Sequence, residues 1–554
     1  MIKKTFLFII FFLLLFASFS QNISKRGIGD FPRPKLVVGI VIDQMRWDYL
    51  YRFYDRYGDG GFKRLLNDGF SCENTFINYL PAYTGVGHAA IFTGSVPAIN
   101  GITANDWIDQ LNGDQEYCTG DEAVETVGAD GSAGKMSPKN LLASTITDEL
   151  RLASNFKSKV IGISLKDRAA ILPAGHLANA AFWFDDNSGK FISSSYYMEQ
   201  LPSWVVSFNK SDFPSKLVAN DWQTLYSSDT YVQSTADNVP WEGKFKEEEL
   251  PVFPHKMKEI YNKDYGAIRY SPFGNTLTLL FAKSAISENN LGKGSVTDFL
   301  TINCASTDYV GHKFGTNSIE EEDTYLRLDR DLSEFLKFLD EEVGTGNYLL
   351  FLTADHGAAN AVGFSQKYRL PAGLFRGVAP GTSVIDSLNK MLLTQFGMEH
   401  LINSFTNYHV NFDQTKINKA RLDFDLIKTQ TISYLQQQQG IQFVVDIRDI
   451  GKVAIPAKIK EMIINGFNPK RTSPLIIIPE PGWYETLETG TNHGNWNPYD
   501  THIPLLFFGW GVHKGASNRE VYITDIAPTL AALLRIQMPN GCVGTPITDL
   551  MHPR

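Results

Sequence analysis

Lys35-Leu-Val-Val-Gly-Ile-Val-Ile-Asp43 is the stretch on which the fold turns. From Leu36 to Ile42 no side chain is polar, and β-branched residues dominate. Such a run reads as a strand buried on both faces, as in a sheet covered by helices on either side. A carboxylate, Asp43, stands at its C-terminal end. The same design recurs along the chain. Lys159-Val-Ile-Gly-Ile-Ser164 ends at Leu165-Lys-Asp-Arg168, and Asp298-Phe-Leu-Thr-Ile-Asn303 precedes Asp308. Asn347-Tyr-Leu-Leu-Phe-Leu-Thr353 runs at once into Asp355-His356, and Ile503-Pro-Leu-Leu-Phe-Phe508 follows shortly after His493. Helical patterns lie between these runs. Within Glu320 to Glu342, Leu328, Leu332, Phe335, Leu336 and Leu339 recur at 3/4 spacing, and Asp525 to Leu534 reads as a second helix. Alternating strands and helices predict a three-layer α/β/α sandwich around a central, mostly parallel sheet. In an open sheet of this kind, ligands meet the C-terminal strand ends. That is where the ionisable residues fall.

Two stretches break the alternation. Residues from about 175 to 265 are rich in aromatics, Ser and Asp, and residues from about 358 to 485 mix element types with several Gly and Pro. Both read as insertions that form a cap or accessory lobe beside the sheet edge. The 554 residues would suit two to four domains, or one large α/β domain carrying such insertions. With 43% hydrophobic and 20% charged residues, the composition excludes a disordered, collagen-like or coiled-coil chain. A net charge of −9 argues against an electrostatic nucleic-acid binder.

The N-terminus has the anatomy of a secretory signal. Lys3 and Lys4 precede an apolar core from Thr5 to Phe16, and Ser18 and Ser20 sit at −3 and −1 of a cut before Gln21. The core is shorter than the roughly 20 residues of a spanning helix. The expectation is a signal over residues 1–20, a mature domain over 21–554, no stable membrane insertion after cleavage, and a periplasmic or secreted location. No Cys follows the cut, which argues against a lipoprotein. The four cysteines, Cys72, Cys118, Cys304 and Cys542, form no CxxC pair. In an oxidising compartment they allow two disulfides, with Cys72–Cys118 the pairing suggested by proximity in sequence.

The candidate ligands are Asp and His. Asp308-Tyr-Val-Gly-His312 places a carboxylate and an imidazole on one face of a helical turn. Asp355-His356-Gly357 sets the same pair side by side after a buried strand, Asp43 ends the first strand, and His493 lies in the glycine-flanked loop Gly490-Thr-Asn-His-Gly494. Any one of these is a common surface pattern; together they number three Asp and three His, more than one tetrahedral ion needs. A nucleophile candidate, Thr84, sits in Leu80-Pro-Ala-Tyr-Thr-Gly-Val-Gly-His88. The pattern starts a helix there, where free N–H groups favour anions, although a Thr at that position also serves as a simple cap.

With these motifs the chain resembles the alkaline phosphatase superfamily, and within it the phosphate-irrepressible, periplasmic bacterial type, over essentially the whole mature length. The resemblance implies two zinc ions: one on Asp308, His312 and His493, the other on Asp43, Asp355, His356 and the Thr84 oxygen. It implies Thr84 as nucleophile, and Asn105, in Gly101-Ile-Thr-Ala-Asn-Asp-Trp107, as a phosphate ligand. It also matches Lys166 and Arg168 to a Lys and an Arg that contact the phosphoryl group. Two cations aimed at phosphoryl oxygens favour a monoester dianion over a diester. Asp/His sites also accept other divalent ions such as calcium. Cys72-Glu-Asn-Thr-Phe76 lacks the Pro and Arg of a formylglycine sulfatase signature.

The resemblance thus implies a secreted, monomeric, metal-dependent phosphomonoesterase. It would act on small phosphate monoesters through a phosphothreonine, in phosphate acquisition. The alternatives are a phosphodiesterase or nucleotide pyrophosphatase on the same two-metal scaffold, and a non-catalytic homologue that binds zinc or phosphate.

Overall fold

The structure, a computed structural model, describes residues 32–375, 383–485 and 488–551. The proposed signal over 1–20 lies outside the described residues. Among the described residues no helix is long and apolar enough to cross a membrane.

Seven strands frame the site: β1 (Leu36–Ile42), β2 (Phe70–Phe76), β3 (Val160–Ile163), β4 (Ala180–Asp185), β5 (Asp298–Cys304), β6 (Tyr348–Thr353) and β7 (Leu505–Gly509). They belong to an eleven-stranded sheet with β2–β7–β6–β1–β5–β3–β4 in its middle. Parallel pairings join β6, β1, β5, β3 and β4 at the centre and the strand Gly515–Tyr522 to β2 near the edge, while β7 pairs antiparallel with both β6 and β2. The central strands are apolar on both faces because helices cover both: all seven residues of β1 and of β5 are buried. The expected fifth strand is present but divided at Pro504, which has no N–H for the ladder.

Register places the ionisable residues. Val41 is level with Thr353 on one side and Asn303 on the other, so β6, β1 and β5 end together. Asp43, Asp355 and Asp308 follow those ends within a few residues. The helices that matter here are α1 (Thr84–Thr93), α2 (Asp167–Ala174), α3 (Ser306–Phe314) and α4 (Ile319–Leu339). Helix α4 starts at a Ser318 cap whose side chain accepts from Glu321 N–H, and it buries Leu328, Leu332, Phe335, Leu336 and Leu339 on the sheet.

A second sheet, of four antiparallel strands, lies later in the chain, in the order Ile402–Thr406, His409–Phe412, Leu475–Pro479, Ile441–Asp446. One of its faces packs under the helices Val384–Phe396 and Phe424–Leu435, in a core that includes Leu388, Val410, Ile427 and Leu435. The other, with Val445, Ile476 and Ile478, packs on Ile459, Met462 and Ile463 and reaches Leu80. Leu80 N–H donates to Met462 O at 3.1 Å, so this accessory region holds the loop that leads to Thr84. All four cysteines carry free thiols, so the Cys72–Cys118 disulfide does not form: Cys72 is buried in β2, and Cys118 packs behind α1 with its sulfur facing Gly85.

Candidate active site

Thr84 is the first residue of α1, entered from an extended Tyr83. The helix can press into the sheet edge because it is made of small residues. A β-carbon at Gly87 would overlap Asp355, and one at Gly85 would crowd Asn105 Oδ1 and the Cys118 sulfur. Gly85 N–H donates to Asn105 Oδ1 at 2.8 Å, which fixes that amide at the mouth of the helix.

Three imidazoles converge on this point, each tethered from behind. The Nδ1–H groups donate to backbone carbonyls: His312 to Thr491 O (2.9 Å), His356 to Gly357 O (3.0 Å) and His493 to Ala82 O (2.8 Å). These bonds assign the tautomer of each neutral imidazole and turn every Nε2 toward the carboxylates, while at His312 burial is outweighed by the Asp308 charge, which favours the protonated ring. His312 Nε2 lies 3.1 Å and His493 Nε2 3.7 Å from Asp308 Oδ1. His356 Nε2 lies 3.6 Å from Asp43 Oδ1, 3.5 Å from Asp355 Oδ2 and 3.4 Å from Thr84 Oγ1. Asp43, Asp355 and His356 are completely buried, and neither Asp43 Oδ1 nor Asp355 Oδ2 has a hydrogen-bond donor.

Carboxylates and imidazoles gathered in this way, with two carboxylate oxygens left without a donor, are what a divalent cation satisfies. Two triads of donor atoms are close enough to ligate one ion each: Asp308, His312, His493, and Asp43, Asp308, His356. Asp308 thus belongs to both, although the resemblance gives it to one ion. The reason is Lys166, whose Nζ lies between Asp43 Oδ2 (2.9 Å) and Asp308 Oδ2 (2.6 Å) and draws the two carboxylates together. The donor set fits divalent metal ions.

Charge balance explains the ionisation states. Burial works against the Lys166 charge, but Asp308 and Asp43 overcome it and hold its pKa above the ordinary lysine value. Burial would push Asp308 up; His312 and Lys166 instead hold it well below the usual carboxylate range. Asp355 is raised by burial and by the Asp43 charge, and burial lowers His356 to about 4, so it is a neutral imidazole at physiological pH.

Arg168, one residue into α2, donates from Nη1 to Tyr117 Oη at 3.1 Å, while its buried Nε has no acceptor. Tyr117 in turn donates to Asp167 Oδ1 (2.9 Å), and Asp167 Oδ2 accepts from Thr119 (2.6 Å). The structure therefore brings Asp43, Thr84, Lys166, Asp308, His312, Asp355, His356 and His493 into one cluster, with Asn105 at the mouth of α1.

Sequence reasoning missed several residues around this cluster. Tyr117 carries no local signal, since it acts from a short strand far from any motif. His88 donates from Nδ1 to Thr84 O at 2.8 Å and lies 3.4 Å from Asp355 Oδ2, and its place one turn after Thr84 could have found it. The Tyr309 ring lies 4.9 Å from Lys166 Nζ, and its hydroxyl is 3.2 Å from Arg269. Its place beside Asp308 was a usable hint.

A family model for type I phosphodiesterase / nucleotide pyrophosphatase matches residues 37–502. Among curated proteins, alkaline phosphatase PhoV of Synechococcus elongatus is 54% identical, covering 94% of this chain and 93% of its own length. Alkaline phosphatase PafA of Elizabethkingia meningoseptica is 51% identical, covering 94% and 95%. A crystal structure of wild-type alkaline phosphatase PafA superposes with a TM-score of 0.92 at 50% identity, over 94% of this chain and all of that one.

Proposed function

The chain belongs to the type I phosphodiesterase / nucleotide pyrophosphatase family of the alkaline phosphatase superfamily, and from that we propose how it works as an alkaline phosphatase: hydrolysis of phosphate monoesters through a phosphothreonine at Thr84. The observation that carries this reading is the placement of Thr84 Oγ1. It is 3.4 Å from His356 Nε2 and 3.5 Å from Lys166 Nζ, at the positive end of α1.

Asp308, His312 and His493 would hold one zinc ion, and Asp43, Asp355 and His356, with the Thr84 oxygen, the other. When bound, the pair supplies positive charge that favours the ionised forms of a hydroxyl, a water and a departing alkoxide. The residues do the rest. Lys166, Arg168 and the Asn105 amide hold the nonbridging oxygens and fix phosphorus in line with Thr84 Oγ1. The Thr84 oxygen forms a bond to phosphorus as the bond to the leaving alcohol breaks. Water then attacks the phosphothreonine from the opposite side, releasing inorganic phosphate and restoring Thr84. Phosphoryl transfer asks for little beyond such positioning and charge stabilisation. Thr84 itself is 2% exposed, and its surroundings exclude bulk water, which strengthens each charge–charge term.

The same reading takes the chain as a monomer exported by residues 1–20. The regions about 175–265 and 358–485 then serve as accessory insertions on a single catalytic domain over 21–554. The test is turnover of p-nitrophenyl phosphate against bis-p-nitrophenyl phosphate by zinc-loaded protein, with a chelator control. Chelator-sensitive preference for the monoester by orders of magnitude supports the reading. Preference for the diester would replace it with a phosphodiesterase, and no turnover of either with a binding protein.

A further inference from the structure

Gln44 follows Asp43 directly and is held in the left-handed region at φ +64°, a conformation that non-glycine residues rarely adopt. Its side chain is buried to 99%. Two donations leave this one residue in two directions. Its backbone N–H donates to Asp355 Oδ1 at 3.2 Å, and its side-chain Nε2 donates to Asp308 Oδ1 at 2.7 Å. With Asp43 on one side of the chain, Gln44 is covalently or hydrogen-bonded to all three carboxylates of the cluster. The strained φ is what allows it, because it turns the N–H and the side chain toward different strand ends.

The space for this side chain is reserved. A β-carbon at Gly311 would overlap Gln44 Oε1, so the glycine of Asp308-Tyr-Val-Gly-His312 exists to let the amide pass beneath α3. Glu321 Oε1 lies 3.6 Å from the same point, and the Glu321 carboxyl is fully buried with no hydrogen-bond donor on either oxygen. Burial pushes it well above the usual carboxylate range, with the Asp308 charge adding to the effect. Burial thus disfavours a second full charge behind the amide, and the Gln44 side-chain N–H is given to Asp308.

We infer that Gln44 is the positioning residue of the metal centre, with divided duties: its side-chain amide orients Asp308 toward the His312/His493 side, and its backbone N–H orients Asp355 toward the His356 side. This rests on the reading of the cluster as a zinc pair. The Asp308 oxygen that accepts from Gln44, Oδ1, is the one that faces His312 and His493, while Oδ2 is held by Lys166, so a side-chain substitution removes only the first duty and the two ions should respond unequally.

The experiment is a competition titration of the full zinc-loaded chain against a chromogenic chelator, for the natural sequence, Gln44→Met and Gly311→Ala. Gly311→Ala displaces the amide without altering Gln44, which keeps the test alive if Gln44→Met folds poorly. The expected result is that both variants release one zinc at roughly 10- to 100-fold lower chelator activity, while the second ion stays within about twofold of the natural protein. Monoester kcat should fall with the weakened ion and recover in excess zinc. Unchanged release of both ions overturns the inference, and so does parallel weakening of both, which would mean a general loss of structure. If the natural chain itself binds no zinc pair, the functional reading falls with it, an outcome separate from the other two.

Discussion

Among the described residues two lysines are buried beside carboxylates, one at the edge of the large sheet and one on a helix that covers the four-stranded sheet, and they are buried for different reasons. Lys428, on the helix Phe424–Leu435, meets Asp446 and, at 3.0 Å, the exposed Asp425. Asp446 is otherwise engaged in capping Arg448 N–H, so every charge there has an opposite number. Lys166 is equally hidden but sits in a surplus of acceptors. Asp43 Oδ1 and Asp355 Oδ2 have no donor, and three imidazole Nε2 atoms face the same carboxylates. A matched buried pair holds chain segments together. An unmatched one is poised for cationic and anionic ligands together, which is the signature of a site.

The contrast can be broken most severely at Thr84. Thr84→Ala should reduce monoester turnover by on the order of 10³-fold or more while zinc stoichiometry and the thermal transition stay unchanged. Retained turnover would detach the cluster from the chemistry. Next comes the direct exchange of the two lysines. Lys166→Ala should cost about 10²- to 10³-fold in kcat/KM for a monoester and less for a diester, whereas Lys428→Ala should stay within about twofold on both. Equal losses on the two substrates would undo the argument from dianion charge. Stability should show the opposite ranking. Lys428→Met leaves Asp446 buried without its main partner and should lower unfolding free energy by about 3 kcal/mol, read from denaturant midpoints in the presence of zinc.

The smallest effect concerns pH and the accessory sheet. His409 is buried there, donates from Nδ1 to Ser473 O at 2.8 Å, and burial lowers its pKa from 6.5 to about 4. The unfolded chain takes up this proton first as pH falls, so the contribution is intact above 6.5 and declines through the window down to 4. The slope is at most about 1.4 kcal/mol per pH unit. His409→Gln should flatten that part of the stability profile without changing activity at pH 8. A profile with the same slope in both proteins would assign the acid sensitivity elsewhere.

Much of this was written plainly in the chain. Doubly buried parallel strands announce themselves as apolar runs, and the register that aligns their ends delivers Asp43, Asp308 and Asp355 to one edge without further help. Thr84 was legible as a helix start. The rest escaped for stated reasons. The flanking strands are short and half-exposed, so they have little periodicity to read. Tyr117 reaches Arg168 only through tertiary packing, and Gln44 looks like any polar residue after a strand until its φ and the notch at Gly311 are known. The cysteines misled because proximity in sequence says nothing about the orientation of Cys72 inside β2 and Cys118 behind α1.

The tethers of the three histidines have a consequence for assembly. His493 is held by Ala82 and His312 by Thr491, so two of the three imidazoles are aimed by segments distant in sequence. During synthesis nearly nine-tenths of the polypeptide must emerge before His493 exists, and His312 lacks its tether until Thr491 arrives. On the proposed reading, a complete metal site would therefore form only late in synthesis. A chain cut short before Thr491 would keep Asp43, Asp308, His312, Asp355 and His356 but lose both His493 and the tether of His312.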